Sequence, residues 1–267
     1  MSEHVLAELL VLAPGGVEEE QGPGWVSYAI YGAPGELPEL GSIEAIAGGE
    51  RIDVSSEEIP DDWADRWRDF HEPVLIAGRV LVRPSWLGTQ DGDAELCVVV
   101  IDPGQAFGTG AHPTTAMSIE LLVELAGAGK ARAGAVDLGT GSGVLAIAAA
   151  KLGWDSVLAV DNEAAAVDAA QENARLNGVE VECLRANLRE GLPPLGETLI
   201  ANLTAPLLQD VAERIGGRED HLPRRLVCSG MLGSQVGGVA SAFERAGLTV
   251  TSRLESGDWA AMALERR

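Results

Sequence analysis

Asp137-Leu-Gly139-Thr-Gly141-Ser-Gly143 is the stretch of this 267-residue chain best equipped for chemistry. Apolar Ala135-Val136 runs into an acid, and three glycines then alternate with small polar residues. Val144-Leu-Ala-Ile-Ala-Ala-Ala150 follows, apolar and helix-prone. The order reads as strand, tight loop and helix N-terminus. Glycine permits positive φ and lets a ligand approach with no Cβ in the way. A ligand so placed meets the unbonded N–H groups that open the helix. Asp161, 18 residues beyond Gly143, ends a second buried-strand pattern, Ser156-Val-Leu-Ala-Val160. An acid there is set to take the two hydroxyls of a ribose. The loop and the acid together point to a nucleoside cofactor.

Two nucleosides compete. Gly141-Ser-Gly143-Val-Leu-Ala146 satisfies the G-x-G-x-x-A pattern of dinucleotide sites. Asp137, however, stands before the first glycine, where a carboxylate can hold the amino group of an amino-acid ligand. Beyond Asp161 the chain has no Lys, no Tyr and a single His, His221, which leaves little for a dehydrogenase proton relay. The strict alternation Gly139-x-Gly141-x-Gly143 resembles the first motif of S-adenosylmethionine-dependent methyltransferases. S-adenosylmethionine is the favoured ligand, with a dinucleotide and a ligand-free turn as alternatives.

The elements that must position these residues alternate regularly. Strand patterns fall at Gly134–Leu138, Ser156–Val160, Glu180–Arg185, Thr198–Asn202 and Arg225–Ser229. Helical patterns lie between them at Val144–Lys151, Ala164–Leu176, Ala205–Ile215 and Gln235–Ala246, with Gly178 and Gly247 as C-terminal stops. This is the βαβ series of a parallel sheet covered on both faces. Leu248–Leu254 and Ala260–Leu264 have only Glu-Ser-Gly-Asp-Trp between them, so they form a hairpin. A Rossmann-like α/β sheet ending in an antiparallel hairpin is the class I methyltransferase fold.

Upstream, Asp102-Pro-Gly-Gln-Ala-Phe107-Gly-Thr-Gly-Ala-His112-Pro-Thr-Thr115 sets an aromatic among glycines ahead of a helix running to about Leu125. Helix capping and turning alone would explain the Thr and Gly residues. Phe107 is better explained as a lid over a bound ligand, with Thr115 offering a hydroxyl. His112 has no carboxylate or second His nearby in sequence, and no metal site is expected. Trp63, Trp67 and Phe70 fall at i, i+4, i+7 on one helical face and read as an arm packed between domains. Val74–Ile76 and Val80–Val82 make a hairpin around Gly78. Leu6–Leu12, Trp25–Ile30 and Arg51–Val54 read as strands separated by Gly/Pro/Glu-rich turns. The expected organisation is a small N-terminal α+β recognition domain (1–59), an arm and linker hairpin (60–90), and the cofactor domain (91–267).

Composition narrows the partners. A net charge of −22 repels phosphate backbones, so nucleic-acid substrates are disfavoured and a basic protein is attracted. No apolar run approaches a membrane span, and Met1-Ser-Glu-His lacks signal-peptide character. Cys97, Cys183 and Cys228 are odd in number and far apart, and read as buried strand thiols in a reducing, cytoplasmic compartment.

Asp102-Pro-Gly-Gln-Ala-Phe-Gly-Thr-Gly-Ala-His-Pro-Thr-Thr, Asp137-Leu-Gly-Thr-Gly-Ser-Gly and Asn202-Leu-Thr-Ala-Pro206 closely resemble the bacterial ribosomal protein L eleven methyltransferases. The aromatic arm and Arg83-Pro-Ser-Trp86 are similar to the same family. The resemblance implies that Thr115, Gly139, Asp161 and Asn202 bind S-adenosylmethionine. It also implies methylation of N-terminal and lysine amino groups on one basic ribosomal protein, presented by a ferredoxin-like N-terminal domain. Here Pro14–Gly24 leaves no room for that domain's first helix. Asn202 ends a buried strand, and Leu-Thr-Ala after it lacks the aromatic that stacks a flipped base. It is the candidate that orients the amine. A monomer is expected. Another basic protein, a small molecule, or non-catalytic cofactor binding are the alternatives.

Overall fold

The computed structural model describes residues 72–88, 95–102, 112–217 and 222–266, with the backbone of strands β1 (Glu18–Gly22) and β2 (Trp25–Ala29). The chain divides into two compact units, Met1–Trp63 and Ala64–Arg267. In the first, β1 and β2 pair antiparallel from Glu18↔Ala29 to Gly22↔Trp25. β2 falls within the expected Trp25–Ile30. β1 corrects the reading of that stretch as turn: Glu18-Glu-Glu-Gln has low strand preference, but pairing with Trp25-Val-Ser-Tyr-Ala overrides it. Leu6–Leu12, Arg51–Val54 and the arm with Trp63, Trp67 and Phe70 lie outside the described residues.

The second unit is built on a seven-stranded sheet. Its strands are β6 (Gly134–Leu138), β7 (Ser156–Asp161), β8 (Glu182–Arg185), β9 (Thr198–Asn202), β10 (Arg225–Leu232), β11 (Leu248–Ser256) and β12 (Trp259–Arg266). Their order is β11-β12-β10-β9-β6-β7-β8. β8, β7, β6, β9 and β10 run parallel, while β12 is antiparallel to both β10 and β11. The order reverses between β6 and β9, the switch point where open α/β sheets bind ligands.

Residues alternate between two cores along each central strand, as the period of two requires. Ala135, Ile200, Val227 and Ala261 join one core with helices α1 (Pro113–Gly127) and α2 (Val144–Leu152). Val136, Leu199, Leu226 and Met262 join the other with α4 (Ala205–Gly216) and α5 (Val236–Arg245). Helix α3 (Ala164–Asn177) packs on β7 and β8 and ends at Gly178, whose φ of +63° makes it the expected stop. Helix α5 starts one residue later than expected because a 3₁₀ turn, Gly233–Gln235, precedes it.

Three features were not in the sequence reading. β3 (Val74–Ile76) and β4 (Val80–Pro84) form the expected hairpin, but β4 then pairs parallel with β5 (Cys97–Ile101) in a separate three-stranded sheet. β10 continues past Ser229 through a bulge between Cys228 and Met231. Of the three thiols only Cys228 is buried, and burial pushes its pKa up to about 12; Cys97 and Cys183 are half-buried at sheet edges.

Candidate cofactor site

Gly139, Gly141 and Gly143 all take positive φ, 73°, 54° and 83°, so the β6–α2 loop is folded as the glycine spacing implied. Any other residue would be strained at these angles. Two of the three also need the missing Cβ for space. A Cβ on Gly143 would lie 3.0 Å from Cα and Cβ of Ala170, and one on Gly139 would lie 2.4 Å from Cδ2 of Leu203. Gly143 caps α2 without any side-chain hydrogen bond. The opening of that helix is instead served from within: the Val144 N–H reaches the Ser142 hydroxyl oxygen at 3.4 Å, and the Ala146 N–H faces the Asp137 carboxylate.

The loop is tied to the end of β7. Gly139 and Thr140 both donate their N–H to the carbonyl of Val160, at 2.8 and 3.0 Å. Asp161 accepts the Gly141 N–H on Oδ2 at 3.0 Å and the Glu163 N–H on Oδ1 at 3.1 Å. A carboxylate has about four acceptor sites, so the pair of ribose hydroxyls can still be received. Asp161 is half-buried beside the loop, where the ribose reading needs it.

Asp137 is placed differently from the other candidates. It is fully buried, and its Oδ2 accepts the Thr140 hydroxyl at 2.6 Å. Burial raises its pKa to about 7. Oδ1 is buried and makes no hydrogen bond of normal geometry, although the Ala146 N–H at the start of α2 faces the carboxylate. A buried acceptor so poorly satisfied is costly, and it lies directly under the glycine loop. An ammonium group held over that loop would satisfy it, which fits an amino-acid end on the nucleoside. The same carboxylate is also the anchor that fixes Thr140.

Thr115 and Asn202 meet although 87 residues separate them: Asn202 donates from Nδ2 to Thr115 Oγ1 in a long 3.5 Å contact. Thr115 is buried in the first turn of α1. Asn202 closes β9, whose neighbour β6 pairs Leu138 with Ala201, so Asn202 and Gly139 emerge side by side. His112 caps α1: the Thr114 N–H and hydroxyl reach its Nδ1 at 3.3 and 2.7 Å, and its ring stands edge-on to Trp259 at 5.0 Å. Burial lowers its pKa, favouring the neutral ring. Thr115, Gly139, Gly141, Gly143, Asp161 and Asn202 are therefore gathered at one end of the sheet, over Asp137. Phe107 lies outside the described residues.

Two contributors escaped the sequence reading. Gly230 (φ +86°) sits in the β10 bulge, where a Cβ would lie 2.4 Å from the Leu203 carbonyl oxygen. The neighbouring Ser229 carbonyl accepts the Leu203 N–H at 3.0 Å, so the turn after Asn202 is held backbone to backbone. Glycine inside a strand was the available signal. The other is Asn173, buried in mid-helix, where asparagine is a poor helix former.

The arrangement has close counterparts among known proteins. A family model described as ribosomal protein L11 methyltransferase (PrmA) matches residues 40–267. The ribosomal protein L11 methyltransferase of Heliobacterium modesticaldum is 41% identical over 211 residues, covering 77% of this chain and 64% of that protein, just under two thirds of its length. That of Pelotomaculum thermopropionicum is 37% identical over 233 residues, covering 85% and 73%. The crystal structure of ribosomal protein L11 methylase from Lactobacillus delbrueckii subsp. bulgaricus superposes with a TM-score of 0.65 at 28% identity, over 74% of this chain and all of that one (100%). This chain belongs to the ribosomal protein L11 methyltransferase family, with its class I fold and S-adenosylmethionine as methyl donor.

Proposed function

We propose that the chain methylates amino groups, lysine side chains and the N-terminus, of ribosomal protein L11. The observation that carries this reading is Asn202 beside Gly139 and against Thr115, in a chain that the family model matches over residues 40–267. Thr115, Gly139, Gly141, Gly143, Asp161 and the oxygen of Asp137 are the groups that hold the cofactor, with Phe107 covering it. When bound, S-adenosylmethionine supplies an electrophilic methyl on a sulfonium, so the leaving group is already activated.

What remains for the protein is to present a neutral amine in line. Freeing a lysine with pKa near 10.4 of its proton costs roughly 4 kcal/mol near neutrality. His112 is engaged at Nδ1 by Thr114, and no tyrosine stands by Asn202 in the sequence. Asn202 therefore orients the amine through its amide oxygen while water carries the proton away. Orientation is the larger lever in such a transfer. Residues 1–59 present the protein substrate, and the net charge of −22 favours a basic one. The enzyme works as a monomer in the cytoplasm.

Incubation with labelled cofactor and purified ribosomal protein L11 tests this directly. Label should appear on L11 lysines or its N-terminus in multiples of one methyl mass. The rate should fall with added salt, since steering is screened beyond a Debye length of about 10 Å at 0.1 M. Label on ribosomal RNA, or on unrelated basic proteins in preference to L11, would overturn the substrate. Full activity in a fragment beginning near Pro73 would overturn the presenting role of residues 1–59.

A further inference from the structure

Helix α3 carries two buried-face asparagines one turn apart, and they pair with the backbone of β5 and of Asp102, the residue that follows it. Asn177 accepts the Val100 N–H on Oδ1 at 2.9 Å and donates from Nδ2 to the Val100 carbonyl at 2.6 Å. Asn173 does the same at Asp102, accepting its N–H at 2.8 Å and donating to its carbonyl at 3.4 Å. Residues i and i+4 of the helix thus meet residues two apart along the chain. The two amides stand where the backbone of a neighbouring strand would otherwise pair.

Asn173 differs from Asn177 in one bond. Its Nδ2 also donates to the Ser142 carbonyl, inside the glycine loop, at 2.8 Å. Asn177 instead returns its second N–H to the Asn173 carbonyl of its own helix at 2.8 Å. The Ser142 carbonyl and the Gly143 N–H belong to one planar peptide. Fixing the carbonyl on Asn173 therefore sets the N–H that donates to Thr140 O at 3.0 Å. Ala170, one turn earlier on α3, lies directly against Gly143. One helix face thus shapes the loop and grips the chain at Asp102, where it leaves β5.

We propose that Asn173 is a positioning residue for the cofactor. It locks the Ser142–Gly143 peptide in its binding shape and holds Asp102 in register with it. The inference rests on the glycine loop being the S-adenosylmethionine site. It assigns to Asn173 a share of cofactor affinity that Asn177, with the same hold on β5, does not have.

Asn173→Asp, Asn173→Ala and Asn177→Ala in the full chain test it. Asn173→Asp keeps the acceptor for Asp102 N–H and loses both donated bonds. S-adenosylmethionine affinity is measured by calorimetry, with melting temperature and amide exchange of the cofactor-free protein. Both Asn173 variants should weaken binding about tenfold or more and speed exchange at Gly143. Asn177→Ala should lower the melting temperature but keep affinity within about twofold. If Asn173→Asp does not fold, the alanine variant decides. Unchanged affinity in the Asn173 variants, or an equal loss in Asn177→Ala, overturns the inference. Failure of the wild type to bind would instead overturn the reading of the loop.

Discussion

The two ends of the parallel sheet contrast. At the C-terminal ends of the strands lie the glycine loop, Asp161, Thr115 and Asn202 over buried Asp137. At the N-terminal ends lies a groove of about 690 Å³, lined among others by Gly134, Ser156, Gln171, Arg175, Glu180 and Glu182. Volume alone makes the groove a reasonable pocket, yet the residues proposed to hold the cofactor stand at the other end. In a parallel βαβ sheet every following helix starts at the C-terminal end of its strand. Unbonded N–H groups and positive helix dipoles collect there. The groove receives the carbonyl-rich helix C-termini and has no buried polar side chain without a partner among its lining residues. Polar groups held in place, and not empty space, distinguish a site.

Substitutions at the two ends sharpen this contrast. The largest effect is expected at Asn202: Asn202→Ala should lower kcat by about a hundredfold, as a misplaced reacting group does. Cofactor affinity should change far less, and steady-state kinetics on L11 with calorimetry separates the two. An equal loss in both would make Asn202 a binding residue only. Next is Asp161→Ala, which removes charge-assisted bonds worth about 1.5–3 kcal/mol each. Its dissociation constant for S-adenosylmethionine should rise at least about tenfold with the fold intact by circular dichroism. Unchanged affinity would sink the ribose assignment.

Asp137 gives a smaller effect that depends on pH. Its folded-state pKa, about 7, stands above the ordinary 3.8 because burial disfavours the charged carboxylate. The native state therefore holds this proton more tightly than the unfolded chain. The resulting stability is complete below about pH 4 and is lost as pH rises to 7. Asp137→Asn cannot ionise, so its melting temperature without cofactor should hold up between pH 5 and 8 relative to the wild type. Parallel melting curves over that range would refute the buried charge. The smallest effect belongs to the opposite end. Arg175→Ala breaks only an exposed i,i+3 pair with Glu172, and such pairs contribute little. Affinity and turnover should stay within about twofold; a large loss would mean the groove takes part in function.

Much of the site was legible because its demands are local. Gly139, Gly141 and Gly143 are written into consecutive residues by the φ angles the loop must adopt, and Asp161 follows one strand later at a spacing set by the βαβ unit. The hairpin β11–β12 was legible because only five residues separate two apolar runs. Glu18–Gly22 was not, since its residues have little strand preference of their own and take it from β2. Cys97 and Cys183 were expected to be buried, but their strands lie at sheet edges, and edge position is a property of strand order.

Sequence by itself determined the class of ligand, the fold and the family, because glycine spacing, acid placement and βαβ alternation are each confined to a few neighbouring residues. Tertiary structure alone decided which distant residues share the site. Thr115 meets Asn202 because α1 packs against β9. Gly230 is required because Leu203 passes across β10. Asn173 reaches Asp102 and Ser142 because α3 lies against both β5 and the loop. Each of these contacts spans tens of residues, and its partner is set by strand order and helix packing. Local preference carries no record of either.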